Sequence, residues 1–341
     1  MRLTISGAVA LCAALVLVAC GQQAADEGGS SGSSSDTKLT KVTMVQEWPV
    51  ADGFWIPWIL GKQKGFYKEA GIDLEIVPPP TVADTMKYLG TGRGDVAFTT
   101  IMDVIFAKEQ GAPVVGIGKY TNTNNWGIIS KTGDKLTAEQ LEGKTIGIYN
   151  DAWTKAQLGI MLDDAGLKLS DVKTVAAADD TVPLLLRDKV DAITGVTNAE
   201  GSEMLTAGKQ KGEFLAARDH GVPDSPVWVF AANTKWMDAN KELAQKFMDA
   251  TQKSQNYALD HQAEGVDAYF AVYKKAFDRA FVTQQWKDTA ALLEKGEDGS
   301  SFRMTDEMWG PLVDVVKRQG IVKKTFPAAE YYTNELVGGA A

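Results

Sequence analysis

From Lys38 onward, short apolar runs rich in β-branched residues alternate with longer stretches whose apolar positions recur every three or four residues. "KVTMVQEW" reads as a strand, followed by a helix near 54–64, the strand "IDLEIVPP", a helix near 82–91, the strand "DVAFTT", a helix near 102–110 and the strand "PVVGIGKYT". Strand alternating with helix predicts an α/β layer fold with a mainly parallel sheet. Gly65, Gly71, Gly92, Gly111 and Gly166 fall where the helical runs should stop, the position at which a left-handed backbone is cheapest for glycine.

A second unit of the same kind begins near Ile128. Thr137 and Gln140 are spaced as a capping box, and "KTIGIYN", a helix from about Lys155 to Ala165, "VKTVAA", a helix near 181–188 and "VDAITGVTN" follow. After "PVWVFAAN" the pattern changes: residues 238–295 and 305–319 read as long amphipathic helices, with Leu243, Phe247, Ala250 and Thr251 on one face. The order predicts two lobes, residues 38–127 with 229–341 and residues 128–228, joined by a hinge of two crossings near 127–130 and 227–231.

The N-terminus stands apart. One basic residue, an apolar run and Leu17-Val18-Ala19-Cys20 before Gly21 form the pattern of a lipoprotein signal peptide over residues 1–19, with Cys20 as the lipidated residue. A transmembrane anchor fits less well, because the run is at the short limit for spanning hydrocarbon and no basic stop-transfer cluster follows. Residues 20–37 are Gly/Ser-rich, with no apolar residue larger than alanine after Cys20, and read as a flexible tether. The chain is expected on the extracytoplasmic face of the membrane, held by its lipid.

Composition narrows the chemistry. With 341 residues, 45% of them hydrophobic and 23% charged, the chain is in the ordinary globular range. A formal charge of −9 argues against nucleic acid and against adhesion to anionic lipid. Cleavage would remove Cys12 and leave Cys20 as the one cysteine, so no disulfide, zinc cluster or catalytic thiol is expected, and no metal site or cofactor is called for. No Walker loop, G-x-S-x-G or H-E-x-x-H motif is found.

The pieces "GFYKEAGIDLEIVPP", "GTGRGDVAFTT", "EQGAPVVGIG", "LEGKTIGIYN", "KVDAITGVTN" and "DHGVPD", in this order and spacing, resemble the substrate-binding proteins of ABC importers. The branch is the one shared by binders of thiamine pyrimidine precursors, sulfonates and nitrate, and the resemblance runs from about Lys41 to Val337. It implies a type II periplasmic-binding-protein fold, a monomer that closes on a small molecule and hands it to an ABC permease. A membrane-tethered sensor using the same cleft is a further class.

In open α/β sheets, ligands collect beyond the carboxyl ends of the strands. The loops there, 46–55, 99–103, 120–126, 150–154 and 196–200, hold Trp48, Trp55, Thr99, Thr100, Asn125, Trp126, Asn150, Trp153, Asn198 and Glu200 as candidate ligand-binding residues, and no arginine or lysine. A binder of a permanent anion would usually add a basic partner, so a neutral or cationic ring is favoured over a sulfonate or nitrate. Indole faces suit planar heterocycles, and a carboxyl group can accept two parallel hydrogen bonds from an aminopyrimidine.

In the thiamine-pyrimidine binders the loop after the last strand of the second lobe reads Gly, aromatic, Ile, Asn, any residue, Glu. Gly195-Val196-Thr197-Asn198-Ala199-Glu200 follows that pattern except at the aromatic position, so the resemblance carries Asn198 and Glu200 across. Val196 leaves the aromatic contact unfilled, and Trp153 on the neighbouring loop is a candidate to replace it. The expected ligand is a hydroxymethyl- or formylamino-pyrimidine, with riboflavin or another aromatic heterocycle, then a sulfonate or nitrate, as alternatives.

Blander roles compete. Trp58 shares a helical face with Trp55 and Ile59 and reads as core. Trp48 and Trp55 are balanced between core and ligand, Asn150 or Asp151 could cap the next helix, and Trp126 could brace the hinge. The enzyme of this fold, the yeast-type hydroxymethylpyrimidine synthase, resembles the chain distantly. Its pattern uses a histidine after the first strand and a cysteine-rich stretch. Residues 47–66 hold no histidine and no cysteine follows Cys20, so an enzyme is not expected.

Overall fold

The computed structural model describes residues 38–177, 180–297 and 299–338. The expected signal peptide, Cys20 and the tether lie outside them.

Ten strands form two sheets. The first contains β1 (Thr40–Gln46), β2 (Ile72–Val77), β3 (Val96–Thr100), β4 (Val114–Lys119) and β10 (Trp228–Asn233). The second contains β5 (Trp126–Ser130), β6 (Thr145–Tyr149), β7 (Lys173–Ala177), β8 (Ala192–Val196) and β9 (Glu213–Ala216). Their orders are β2-β1-β3-β10-β4 and β7-β6-β8-β5-β9. In each, the first three strands are parallel and one strand runs antiparallel between its neighbours: β10 against β3 and β4, β5 against β8 and β9. β5 and β10 are the strands by which the chain enters the other sheet, and arriving from the opposite end reverses their direction.

Most elements fall where the hydrophobic period put them. Pro57 sits in the first turn of the helix Ile56–Gln63, where a missing N–H costs nothing, and Gly65 at φ +79° follows its end. Asp151 caps the helix Ala152–Asp164, its Oδ1 accepting from the Thr154 amide at 2.7 Å. The spacing of Thr137 and Gln140 is half used: the Gln140 side chain accepts the Thr137 amide at 2.9 Å, over a short 3-10 turn. β9 is absent from the sequence reading because "EFLA" is a four-residue edge strand with no alternation to announce it.

The core is one large cluster that runs through both sheets, with a smaller one of Ile129, Val182, Leu185, Val190, Ile193 and Met204 beside β8. Trp58 is fully buried among Phe98, Tyr120 and Phe230, at centroid distances of 5.5–5.9 Å. Its indole N–H donates to Gln46 Oε1 at 3.1 Å, which satisfies a buried donor and fixes the last residue of β1. The long helix Lys241–Asp260 covers the helix Ile56–Gln63, and the helix Arg279–Ala290 lies against Glu200–Thr206 of the second sheet's side. The chain passes between sheets over residues 120–125 and 217–227. Among the described residues no helix is long and apolar enough to cross a membrane.

Candidate functional site

A cavity of about 590 Å³ opens at the carboxyl ends of β1, β3, β6 and β8. Such ends are where strand polarity leaves loops and helix N-termini convergent. Of the residues expected there, Trp48, Trp126, Trp153 and Glu200 line it.

Glu200 is the most constrained of these. It is 8% exposed and opens the helix Glu200–Thr206 one turn beyond β8. The Tyr149 hydroxyl donates to its Oε1 at 2.8 Å and the Val196 amide to its Oε2 at 2.8 Å. The side chain lies against Gly195 so closely that a Cβ there would stand 2.6 Å from Oε2, so glycine is required by space at this position. Burial raises the Glu200 carboxyl above its ordinary pKa, against the lowering effect of these donors.

The aromatic wall crosses both sheets. Trp126 and Trp153 meet at 6.3 Å, Trp153 and Trp228 at 6.0 Å, and Trp228 stacks on Phe98 at 5.2 Å with the planes 12° apart. Trp48, which follows β1, meets Tyr149 at the end of β6 edge to face. The sequence reading missed Trp228 and Tyr149, and Phe54, in the loop it singled out, also lines the cavity. Trp228 begins a strand rather than following one, and only the antiparallel entry of β10 brings it beside Thr100 at the carboxyl end of β3.

Five carboxylates outside the candidate set also carry raised pKa values, and four of them, Glu47, Asp52, Asp103 and Asp151, lie in loops the sequence singled out. Glu47 accepts from Thr99 Oγ1 at 2.5 Å and from the Thr100 amide at 3.0 Å. Asp52 accepts from the Phe54 amide at 3.0 Å and from Gln285 Nε2 at 2.9 Å. Burial raises Glu47 well above the usual carboxylate range, with Asp103 and Asp151 adding repulsion, and pushes Asp52 up to about 7. Asp103 is likewise pushed up to about 7 by burial, and Asp151 to about 6. Glu203 reaches about 8 through burial and the neighbouring Asp180. Asp151 therefore does two things at once, capping a helix and facing the cavity.

The other candidates sit elsewhere. Trp55 is 1% exposed and packs against Tyr273 at 5.8 Å, away from the cavity, because its short 3-10 turn points it into the helical layer. Thr99 and Thr100 stand behind Glu47 as its donors, and Thr100 also caps the helix Ile101–Glu109. Asn125 donates to Asn198 at 2.6 Å, and Asn198 donates to Thr289 at 2.9 Å, which ties the second sheet to the helix Arg279–Ala290; the Oδ1 of Asn125 is buried without a partner. Asn150 is exposed and holds Lys155 at 2.5 Å. None of these six lines the cavity.

Two α/β layers of identical strand order around a cavity at their carboxyl ends define the periplasmic-binding-protein fold, and solved structures agree. A ligand-binding component of an ABC-type import system from Staphylococcus aureus superposes with a TM-score of 0.65 at 16% identity, over 87% of this chain and 98% of that one. The alkanesulfonate-binding protein of Xanthomonas axonopodis pv. citri does so with a TM-score of 0.66 at 15% identity, over 86% and 98%. Residues 55–265 match the NMT1/THI5-like family, and the chain belongs to it.

A curated relative, the 4-amino-5-hydroxymethyl-2-methylpyrimidine phosphate synthase of Aspergillus parasiticus, is 24% identical over 323 residues, 87% of each chain. This corrects the sequence reading on one point. Enzymes were set aside because residues 47–66 lack a histidine and no cysteine follows Cys20, yet curated relatives from three fungi, at 23–25% identity, are named as that synthase. Absence of two residue types from one segment is too narrow a ground on which to exclude a whole class.

Proposed function

We propose that this chain is the solute-binding lipoprotein of an ABC importer and that it takes up a pyrimidine precursor of thiamine, hydroxymethyl- or formylamino-pyrimidine, in the cavity between its two sheets. The observation that carries the reading is Glu200: a buried carboxyl group fixed by Tyr149 and the Val196 amide at the carboxyl end of β8, beside the indole rings of Trp48, Trp126 and Trp153. A carboxyl group accepts the paired donors of an aminopyrimidine, and indole walls suit its flat ring. Relatives named for synthesis of the same pyrimidine support the choice of ring.

In this reading residues 38–127 with 229–341 and residues 128–228 are lobes that close about the two crossings, and ligand binding shifts the population toward the closed form. Cys20 carries the lipid that holds the monomer on the extracytoplasmic face, near its permease. Labelled palmitate should enter the natural chain and not Cys20→Ser.

The direct test is a calorimetric and thermal-shift panel with 4-amino-5-hydroxymethyl-2-methylpyrimidine, thiamine, riboflavin, taurine and nitrate. A ligand at about 100 times its dissociation constant adds about 2.7 kcal/mol of stability. A shift with the aminopyrimidine is expected. A shift with taurine or nitrate alone would overturn the reading and move the centre of the site to backbone amides.

A further inference from the structure

The cavity's charge goes further than its shape. Among the described residues seven carboxylates line it against two cationic side chains, Lys209 and Arg279. Both cations are exposed, and Arg279 is already paired with Asp267. Glu47, Asp52, Asp151 and Glu200 are 2%, 6%, 7% and 8% exposed, and they come from both sheets' loops. Each is held by neutral donors only: the Thr99 hydroxyl and Thr100 amide, Gln285 and the Phe54 amide, the Thr154 amide, and Tyr149 with the Val196 amide. Among the described residues none of the four has a salt-bridge partner. Buried charge without a counter-charge is costly, and raised carboxyl pKa values are the physical signature of that cost.

Two further observations point to what supplies the counter-charge. The rings of Trp48, Phe54, Trp126, Trp153 and Trp228 line the same space, and aromatic faces attract organic cations while tolerating no free anion. The indole N–H groups of Trp153 and Trp228, on cavity-lining side chains more than nine-tenths buried, have no hydrogen-bond partner, so each is a donor that an acceptor such as a ring nitrogen would satisfy. Among the described residues no group of three or more His, Cys, Asp or Glu is arranged to hold a metal ion, so an organic cation suits the cluster better than an inorganic one.

We propose that the cavity selects an organic cation, a planar heteroaromatic ring that carries a protonated amine or is itself protonated, with Glu47, Asp52, Asp151 and Glu200 as its counter-charges. The proposal rests on the reading of this cavity as the ligand site and narrows the aminopyrimidine class to its positively charged members. It also accounts for the placement of both lysine and arginine at the rim, where they do not oppose a cation inside.

Calorimetry at pH 8 on the full chain separates the two readings with three probes. They are 4-amino-5-hydroxymethyl-2-methylpyrimidine, which is neutral there, its 5-aminomethyl analogue, which is a cation, and benzyltrimethylammonium, a cation without a pyrimidine. The aminomethyl compound should bind at least about tenfold more tightly than the hydroxymethyl one, since a charge-assisted hydrogen bond replaces a neutral one. That margin should shrink in Asp52→Asn, and a sodium chloride series on the natural chain should shrink it too if the variant fails to fold. Equal binding of the two pyrimidines would overturn the charge proposal and leave the pyrimidine reading standing. Binding of benzyltrimethylammonium with neither pyrimidine would overturn both the proposal and the pyrimidine reading, and no binding of either cation would overturn the proposal.

Discussion

Trp48 and Tyr149 meet edge to face, ring centroids 5.1 Å apart and planes at 82°, one following β1 of the first sheet and the other ending β6 of the second. The same Tyr149 donates its hydroxyl to Glu200 at 2.8 Å. The contact between the two sheets' loops is thus one ring away from the carboxyl group at the centre of the proposed site. Approach of the sheets and orientation of Glu200 are mechanically linked through a single side chain.

Replacing Glu200 by Gln keeps the volume and an acceptor for the Val196 amide, with the Tyr149 hydroxyl turning to accept from the new amide N–H, while removing the charge. Affinity for the ligand should fall by the worth of a hydrogen bond to a charged group, about 1.5–3 kcal/mol, with the melting temperature of the unliganded protein little changed. Unaltered affinity in a calorimetric titration would take Glu200 out of the site.

Gly195→Ala tests the close approach beneath that carboxylate. The new methyl would stand 2.6–2.7 Å from three atoms of Glu200, so the side chain must swing away or the strand must shift. Overpacking of this kind costs about 1–3 kcal/mol. The expected outcome is a folded protein by circular dichroism that has lost most of its affinity; retention of full affinity would show that Glu200 can be displaced without consequence.

The tryptophans divide by role. Trp58→Ala removes a fully buried indole and its hydrogen bond to Gln46 and should cost about 3–5 kcal/mol in chemical denaturation. Trp48→Ala removes a half-buried ring at the cavity and should change affinity far more than stability. A large stability loss in Trp48→Ala, or a small one in Trp58→Ala, would reverse the assignment.

Stability should also depend on pH in an unusual direction. Asp52 and Asp103 at about 7, Asp151 at about 6 and Glu203 at about 8 hold protons in the folded state that the unfolded chain releases near its ordinary carboxylate values, about 4. Between those limits the native state binds more protons than the unfolded one, so stability falls as pH rises from about 5 to 8. Urea midpoints of the unliganded protein at pH 5.5, 6.5 and 7.5 should decrease in that order. A cationic ligand works the other way, binding more tightly as the carboxylates ionise, by up to about tenfold per pH unit for each one that must lose a proton.

Much of the fold was legible because it rests on period. Apolar residues at spacing two and at spacing 3.6, interrupted by glycines such as Gly65 and Gly166, announce strands, helices and their ends from local physics alone. β9 escaped because a four-residue edge strand carries too little pattern, and the antiparallel course of β5 and β10 escaped because direction within a sheet is set by how the chain returns, which no local period encodes.

The site was legible as a set of loops, less so as a set of side chains. Loop 46–55 was singled out for its aromatics, and its tryptophans went opposite ways, Trp48 to the cavity and Trp55 to the core, while Glu47 and Asp52 in the same loop turned out to face the cavity. In the next pair, Asn150 is exposed, while Asp151, the extended N-cap of the following helix, lines the cavity.

By itself the sequence determined the alternation of strand and helix, the number of layers, an acidic character and the presence of Glu200 at the end of a strand, since each is a property of composition or of neighbours along the chain. Only the tertiary structure decided which side of each loop looks into the cavity, that Trp228 joins Trp153 across the sheets, and that four buried carboxylates from three loops share one space. Those are relations chiefly between residues distant in the chain, fixed by strand order and packing, and a residue's type carries no record of which distant neighbour the fold will bring to it.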